Sequence, residues 1–353
     1  MKKFTNAIAS IATALVLLGI APAAQAAKTD VVRLINGDDV TGEVKSLEFG
    51  ELRYSTDSMG TVSVEWEEVV ALTSDQALQV EVTSGARFFG NLVPASEGGM
   101  VAISVGGNIR ELDILEVVRI TPIETDEKIW QRMEGSVKFG FDSDKASAVT
   151  SSYLNANVRF RTRTFLIGLD IHSSITDQPG AETTQNQSIG MNYQRFLRNR
   201  WFSDWTTSIE RNDAQGIDQR LTVGGGIGKY LVQSNTNQFS LLAGLNATRE
   251  SFVGDDPDTT NAEGKIQIKY LRRRNEPSTD ITFTMDIFPL LEDLSTFRSN
   301  SNLSLRKEII DDLFFDLTFF YNYISNPPLI SETPPVFAEN DDYGVVTSIG
   351  YSF

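Results

Sequence analysis

The 353-residue chain has no cysteine and a single histidine, His172. The first absence removes disulfides, thiolate chemistry and any zinc or iron–sulfur site built on Cys. One imidazole cannot form a histidine cluster, and no D-x-D-x-D-G pattern marks a calcium loop. Beyond residue 20 no run is apolar enough for a membrane helix. Acidic residues outnumber basic ones, 47 to 31, so the basic footprint of a nucleic-acid binder is missing. The Gly224-Gly225-Gly226 run has no helix pattern after it and is not a phosphate loop. Glycines there permit sharp curvature or leave space for a large neighbour. No cofactor and no metal are expected.

What the chain does have is alternation. It ends DYGVVTSIGYSF, with Tyr343, Val345, Thr347, Ile349, Tyr351 and Phe353 on one side of a strand and small or polar residues on the other. An ending of this kind resembles the terminal strand of bacterial outer-membrane β-barrels, which implies that Tyr351 and Phe353 serve as an assembly signal. The beginning is in keeping with export. Met1-Lys2-Lys3 is basic, Ile8 to Ile20 is mostly apolar, and Ala24-Gln25-Ala26 has the small-x-small form of a cleavage site. Residues 1–26 are therefore expected to be a signal peptide. Its removal would leave 29 basic against 47 acidic residues, a net charge of −18.

Residues 27–124 repeat internally. VVRLINGDDVTGEV from Val31 aligns with LQVEVTSGARFFGNLV from Leu78 at a shift of 48. Val32 falls on Val80, Gly37 on Gly85, Gly42 on Gly90, Trp66 on Ile114, Val69 on Val117 and Leu72 on Ile120. Each copy reads as a strand, a tight Gly turn, a second strand and shorter strands to follow. The pattern resembles SH3-like or Sm-like β-barrels in tandem. Residues 125–130 form a polar linker.

From residue 131 the texture changes to strands of about ten to twelve residues with turn signals between them. Twelve outward faces follow in order, from Met133, Val137, Phe139 and Phe141 to the C-terminal strand. An even number is what single-chain bacterial barrels have. Short links near 161–164, 197–200, 233–237, 272–278 and 307–312 alternate with long ones near 176–184, 211–218, 250–260, 289–295 and 325–342. The fold class expected is all-β: a twelve-stranded antiparallel transmembrane β-barrel over residues 131–353, preceded by a small periplasmic tandem β module. Lipid leaves a closed barrel as the one way for strands to span.

Three stretches, WQRMEGSVKFGF from Trp130, RFLRNRWFSDW at Arg195–Trp205 and the GYSF end, resemble a bacterial family of unknown function typified by the salt-induced outer-membrane protein (YdiY-like). The resemblance covers residues 131–353 best. It implies an outer-membrane barrel with no established reaction.

The inward positions carry both signs of charge: Lys138, Arg159, Asp170, Arg220, Lys265, Lys269, Asp280, Arg298 and Asp316, with Glu210, Asp286 and Arg306. Such charges either pair across the lumen or line a narrow polar pore. Nearly every inward position reads as polar or small. His172, with Asp170, Ser173 and Ser174 nearby, admits a lipid-hydrolase reading. Alternation places those neighbours on opposite faces, so His172 reads instead as a surface histidine at the loop end of its strand, and no enzyme is expected. The favoured function is a narrow channel for small hydrophilic solutes or ions. The alternative is a structural or envelope-stress (osmotic) role without transport. Expected partners are outer-membrane lipid and lipopolysaccharide, the barrel assembly machinery, and a periplasmic or peptidoglycan partner for residues 27–124; nucleic acid is not expected.

Overall fold

The computed structural model describes residues 28–123 and 133–351, apart from 145–148, 180–182, 214–215, 253–256, 276–277, 311–312, 328, 333–334 and 338. The segment expected to be a signal peptide, the expected linker and Phe353 lie outside the described residues. Among those described, the secondary structure is β throughout, with two short 3-10 turns.

The N-terminal module has nine strands: β1 (Asp30–Leu34), β2 (Asp39–Glu48), β3 (Glu51–Thr56), β4 (Gly60–Glu65), β5 (Val69–Val82), β6 (Arg87–Val93), β7 (Met100–Val105), β8 (Asn108–Asp113) and β9 (Val117–Pro122). The sheet runs β4-β3-β2-β1-β5-β6-β7-β8, and β9 pairs with both β2 and β5. The 48-residue repeat is written directly into it. The 3-10 turns occupy Trp66–Glu68 and Ile114–Glu116, the same place in each copy. Strand β5 belongs to both copies: Val69–Thr73 pairs with β1, and Leu78–Val82 pairs with β6 and β9.

The two copies are thus fused through one strand rather than strung as separate beads, and they share one core. Val32, Val44, Leu47, Leu52, Tyr54, Trp66 and Leu72 of the first copy pack with Leu78, Val80, Leu92, Val101, Ile103, Val117 and Ile120 of the second. Trp66 donates its Nε1–H to the carbonyl of Ile114 at 2.7 Å, so repeat-equivalent positions meet. That bond satisfies the one polar atom of the largest buried side chain.

Twelve strands then follow as one antiparallel sheet: β10 (Met133–Asp144), β11 (Val149–Arg161), β12 (Phe165–Asp177), β13 (Thr184–Phe196), β14 (Trp201–Asn212), β15 (Ile217–Gln233), β16 (Asn237–Phe252), β17 (Thr259–Arg274), β18 (Thr279–Pro289), β19 (Phe297–Ile310), β20 (Leu313–Ile324) and β23 (Asp341–Tyr351). A small hairpin of β21 (Leu329–Glu332) and β22 (Pro335–Phe337) sits in the last long loop. Each strand pairs with the next in sequence, the connectivity of an up-and-down wall.

The wall is rolled. Side chains from eight successive strands, from Asp170 on β12 round to Asn300 on β19, line one internal cavity of about 270 Å³. Lys265 Nζ on β17 lies 3.9 Å from Asp204 Oδ1 on β14, a contact that skips two strands and needs a concave face. The other face is apolar and open: Val137, Phe139, Phe141, Trp205, Leu245, Val345 and Ile349 are each at least 60% exposed. Soluble monomers do not carry an apolar belt of this extent.

The structure departs from the sequence expectation in strand length. β15, β16 and β17 have 17, 16 and 16 residues, so the long link expected at 211–218 shrinks to residues 213–216. Turn residues are sparse there and polar alternation continues, so the ladder runs on. About 9–11 residues suffice for a strand to cross a bilayer; these three protrude past any such layer.

Gly90 sits where an added Cβ would collide with the Ser104 carbonyl oxygen of the paired strand, and Gly42, its counterpart, where it would strike Tyr54. Replacing Gly90 by Ala is expected to destabilise the module by about 1–3 kcal/mol, the usual cost of overpacking. Urea denaturation of the fragment 28–123, which carries a core of its own, measures it; an unchanged midpoint would contradict the packing described.

Candidate functional site

Hydrogen-bonded pairing fixes side-chain parity on every strand, and parity gathers the charged residues on the inner face. Arg159 on β11 is bidentate to Asp170 on β12, at 2.8 and 3.0 Å. Gly168, beside it, leaves the space that the Arg159 guanidinium and Asn192 occupy. Arg220 on β15 is held between Glu210 on β14 and Glu250 on β16. Arg298 on β19 is bidentate to Glu263 on β17, at 2.9 and 2.8 Å, and its guanidinium lies 3.9 Å from the centre of the Phe288 ring. Asp280 pairs with Arg273 at 3.0 Å and Asp316 with Arg306 at 2.7 Å. Lys269 lies within electrostatic reach of Arg159, Asp170, Asp204 and Asp286. Lys138 stands opposite Asn155 on the β10–β11 ladder; its side chain lies outside the described residues. Tyr351 pairs with Leu313 through the backbone.

Three carboxylates that complete these pairs, Asp204, Glu250 and Glu263, share the inward parity of residues singled out in the sequence. Glu250 and Glu263 were passed over because they sit toward strand ends, where the expected strands were too short; Asp204 lies within its expected strand, next to Trp205. The glycine run leaves space on both faces: added Cβ atoms would strike the inward Asn246 at Gly224, the outward Trp205 at Gly225 and the Ala243 carbonyl oxygen at Gly226.

Two expectations need correction. First, the interior is not uniformly polar or small. Phe196, Phe202 and Leu242 are buried on the inner side, and Phe202 packs on Tyr230 with ring centroids 4.7 Å apart. These large residues lie toward the end of the barrel that carries the short turns, where Arg119 of the module packs over the Phe196 ring. Second, His172 is not a surface residue at a strand end. It lies within β12, half-buried, with Nδ1 2.7 Å from Asn155 Oδ1. Ser173 points away from it and accepts a hydrogen bond from Gln187 at 3.3 Å.

The turn end is occupied by the module itself. Its Phe49-Gly50 turn, both residues at positive φ, reaches between two barrel turns. Asn275 Nδ2 donates to the Gly50 carbonyl at 3.3 Å, and the Arg273 guanidinium lies 5.4 Å from the Phe49 ring centre. A left-handed Phe costs about 1–2 kcal/mol, which these contacts offset. Gly85, in the turn of the second copy that matches Gly37 of the first, abuts Arg200 of the β13–β14 turn. Between these supports lies a charged knot. Glu48 accepts from Arg119 of the module at 2.9 Å and pairs with Arg161 of the barrel at 3.1 Å; Arg119 also reaches Glu81 at 3.4 Å. The Arg161 and Arg119 guanidiniums lie 4.5 and 5.8 Å from the Phe196 ring centre. Arg119 and Glu81 are buried, so breaking one partner would strand an uncompensated charge.

Burial pushes the Glu48 carboxyl up, but the guanidiniums of Arg161, Arg119 and Arg273 outweigh it and hold the group below the usual glutamate range. A depressed carboxylate contributes docking energy that is present above its free value and lost as pH falls through the lowered one. Docking is therefore expected to hold at neutral pH and to loosen on strong acidification. Glu48→Gln should loosen it at neutral pH. A pair of spin labels, one on the module and one on a barrel turn, is simple to place in a chain without cysteine. The distance distribution should be narrow for the native chain and broad for the variant; equally narrow distributions would contradict a role for Glu48.

A family profile described as "Protein of unknown function, DUF481" matches residues 137–353. No curated protein matches significantly. Among solved structures the chain is similar to the NanC porin, with 8% identity and a TM-score of 0.36, over 63% of this chain and 98% of that one. The family profile covers the twelve-stranded part and more than half of the chain, and the chain belongs to the DUF481 family.

Proposed function

We propose that the protein is an integral outer-membrane β-barrel that forms a narrow channel for small hydrophilic solutes, with the N-terminal module at its periplasmic mouth. The observation that carries the reading is the two-faced wall. The outer face is an exposed apolar belt and the inner face is lined by ionised side chains. Lipid satisfies the first, and water or a polar solute the second. Short turns on the module's side and long links on the other fit a periplasmic and an extracellular end. The YdiY-like, salt-induced placement and the SH3/Sm-like likeness of the module stay part of this reading. So do contacts with lipid, lipopolysaccharide and the assembly machinery.

One observation favours the alternative, an envelope protein without transport. Among the described residues the inner-face arginines pair with carboxylates, and the module sits on the mouth. Planar-bilayer recording separates the two. Discrete conductance is expected, larger for a barrel lacking residues 28–123. Arg298→Gln, which leaves Glu263 without its bidentate partner, should shift ion preference toward cations. Silence from both forms would leave the structural role. Recovery of the native protein from the soluble periplasm would overturn the membrane reading itself.

A further inference from the structure

Between the module and the barrel lies a cavity of about 520 Å³, within the usual range of small-molecule sites. Its wall gathers six cations: Lys45, Arg53 and Arg119 from the module, and Arg159, Arg161 and Arg273 from the barrel. Glu43 and Glu48 are the carboxylates of that wall, and both come from the module. Glu81, Asp170 and Asp280 neutralise Arg119, Arg159 and Arg273 from outside it. These six cations converge in a chain where acids prevail 47 to 31. The cluster therefore runs against the composition.

Three cations of one body face three of another in a partly buried space, where repulsion is poorly screened. Arg119 Nε is buried and has no hydrogen-bond partner. Lys45, Arg119, Arg159, Arg161 and Arg273 are each held in place by an ion pair, so the wall is largely preorganised. Guanidinium forks match the paired oxygens of phosphates and carboxylates. Leu47, Leu166 and Leu271 supply an apolar part of the wall that strengthens charge attraction inside it.

We propose that this cavity binds a small multivalent oxyanion, a phosphate ester or a polycarboxylate, held by arginines of the module and of the barrel at once. A ligand that touches both bodies binds the docked form better than the undocked one. Anion binding and module docking must then strengthen each other by the same factor. The site is thus a sensor as well as a receptacle: its anion holds the module on the mouth.

Calorimetric titration of the full-length protein in detergent, with inorganic pyrophosphate in one arm and citrate in the other, tests it. Saturable binding of at least one is expected, and the tighter arm names the chemistry. Arg53→Gln on the module side and Arg159→Gln on the barrel side should each weaken binding about tenfold or more. Arg53→Lys, which keeps the charge and loses the fork, should fall between. Arg249→Gln, an exposed residue paired with Asp258 away from the module, should bind as the native chain does. Pyrophosphate or citrate should also narrow the distance distribution between spin labels on module and barrel. No saturable binding of either anion, or equal binding by the native chain and both Gln variants in barrels whose folding is verified by heat-modifiable migration, would overturn the proposal. Conductance without anion binding would sink this inference alone. Anion binding in a barrel that never conducts would sink the channel reading alone.

Discussion

Among the described residues each strand from β11 to β20 gives its backbone donors and acceptors to two neighbours, and the rest of this structure depends on that constraint. Pairing fixes the register; register fixes parity; parity sends one side chain in two outward and the next inward. The ladder from Met133 to Tyr351 keeps that order over twelve strands, interrupted by a few bulges. From it follow both the exposed belt of Val137, Phe139, Trp205 and Ile349 and the charged interior of Arg159, Arg220 and Arg298.

The interior is organised by pairs between strands. Neighbouring strands bring Arg159 to Asp170 and Arg306 to Asp316. Curvature brings together residues two or three strands apart, Arg298 with Glu263 and Lys265 with Asp204. Long arginine side chains need room to lie flat against the wall, and glycine provides it at 168 beside Arg159. A lumen built in this way is neither an apolar core nor an open pipe. Its fixed charges leave limited space, and they set a local field that differs from the acidic charge of the chain as a whole.

The module obeys different physics. It buries its apolar residues in a single core made from both halves of the repeat. Two different turns, Phe49-Gly50 of the first copy and Ser84-Gly85 of the second, are its contacts with the barrel rim, and one long strand serves both copies. Its charged face is the part that matters to the mouth. Glu48 stands between an arginine of its own body and one of the barrel, and the remaining cations enclose a cavity between the two.

By itself the sequence determined the class of fold, the number of strands in the wall, which residues face each way, and the 48-residue repeat. These are periodic properties, carried by local alternation and spacing, and they need no knowledge of distant contacts. Strand ends were less legible, because polar residues continue the ladder past the apolar belt as readily as they form loops; Glu250 and Glu263 were missed for that reason. Only the tertiary structure decided that the copies share one core through β5, that Phe196 and Phe202 fill the turn end, and that six cations meet between module and barrel. Those depend on how a sheet curls and how two bodies abut, and Lys45 and Arg273 lie far apart in the chain with no pattern joining them. Alternation records which face a residue occupies; it does not record what that face is pressed against.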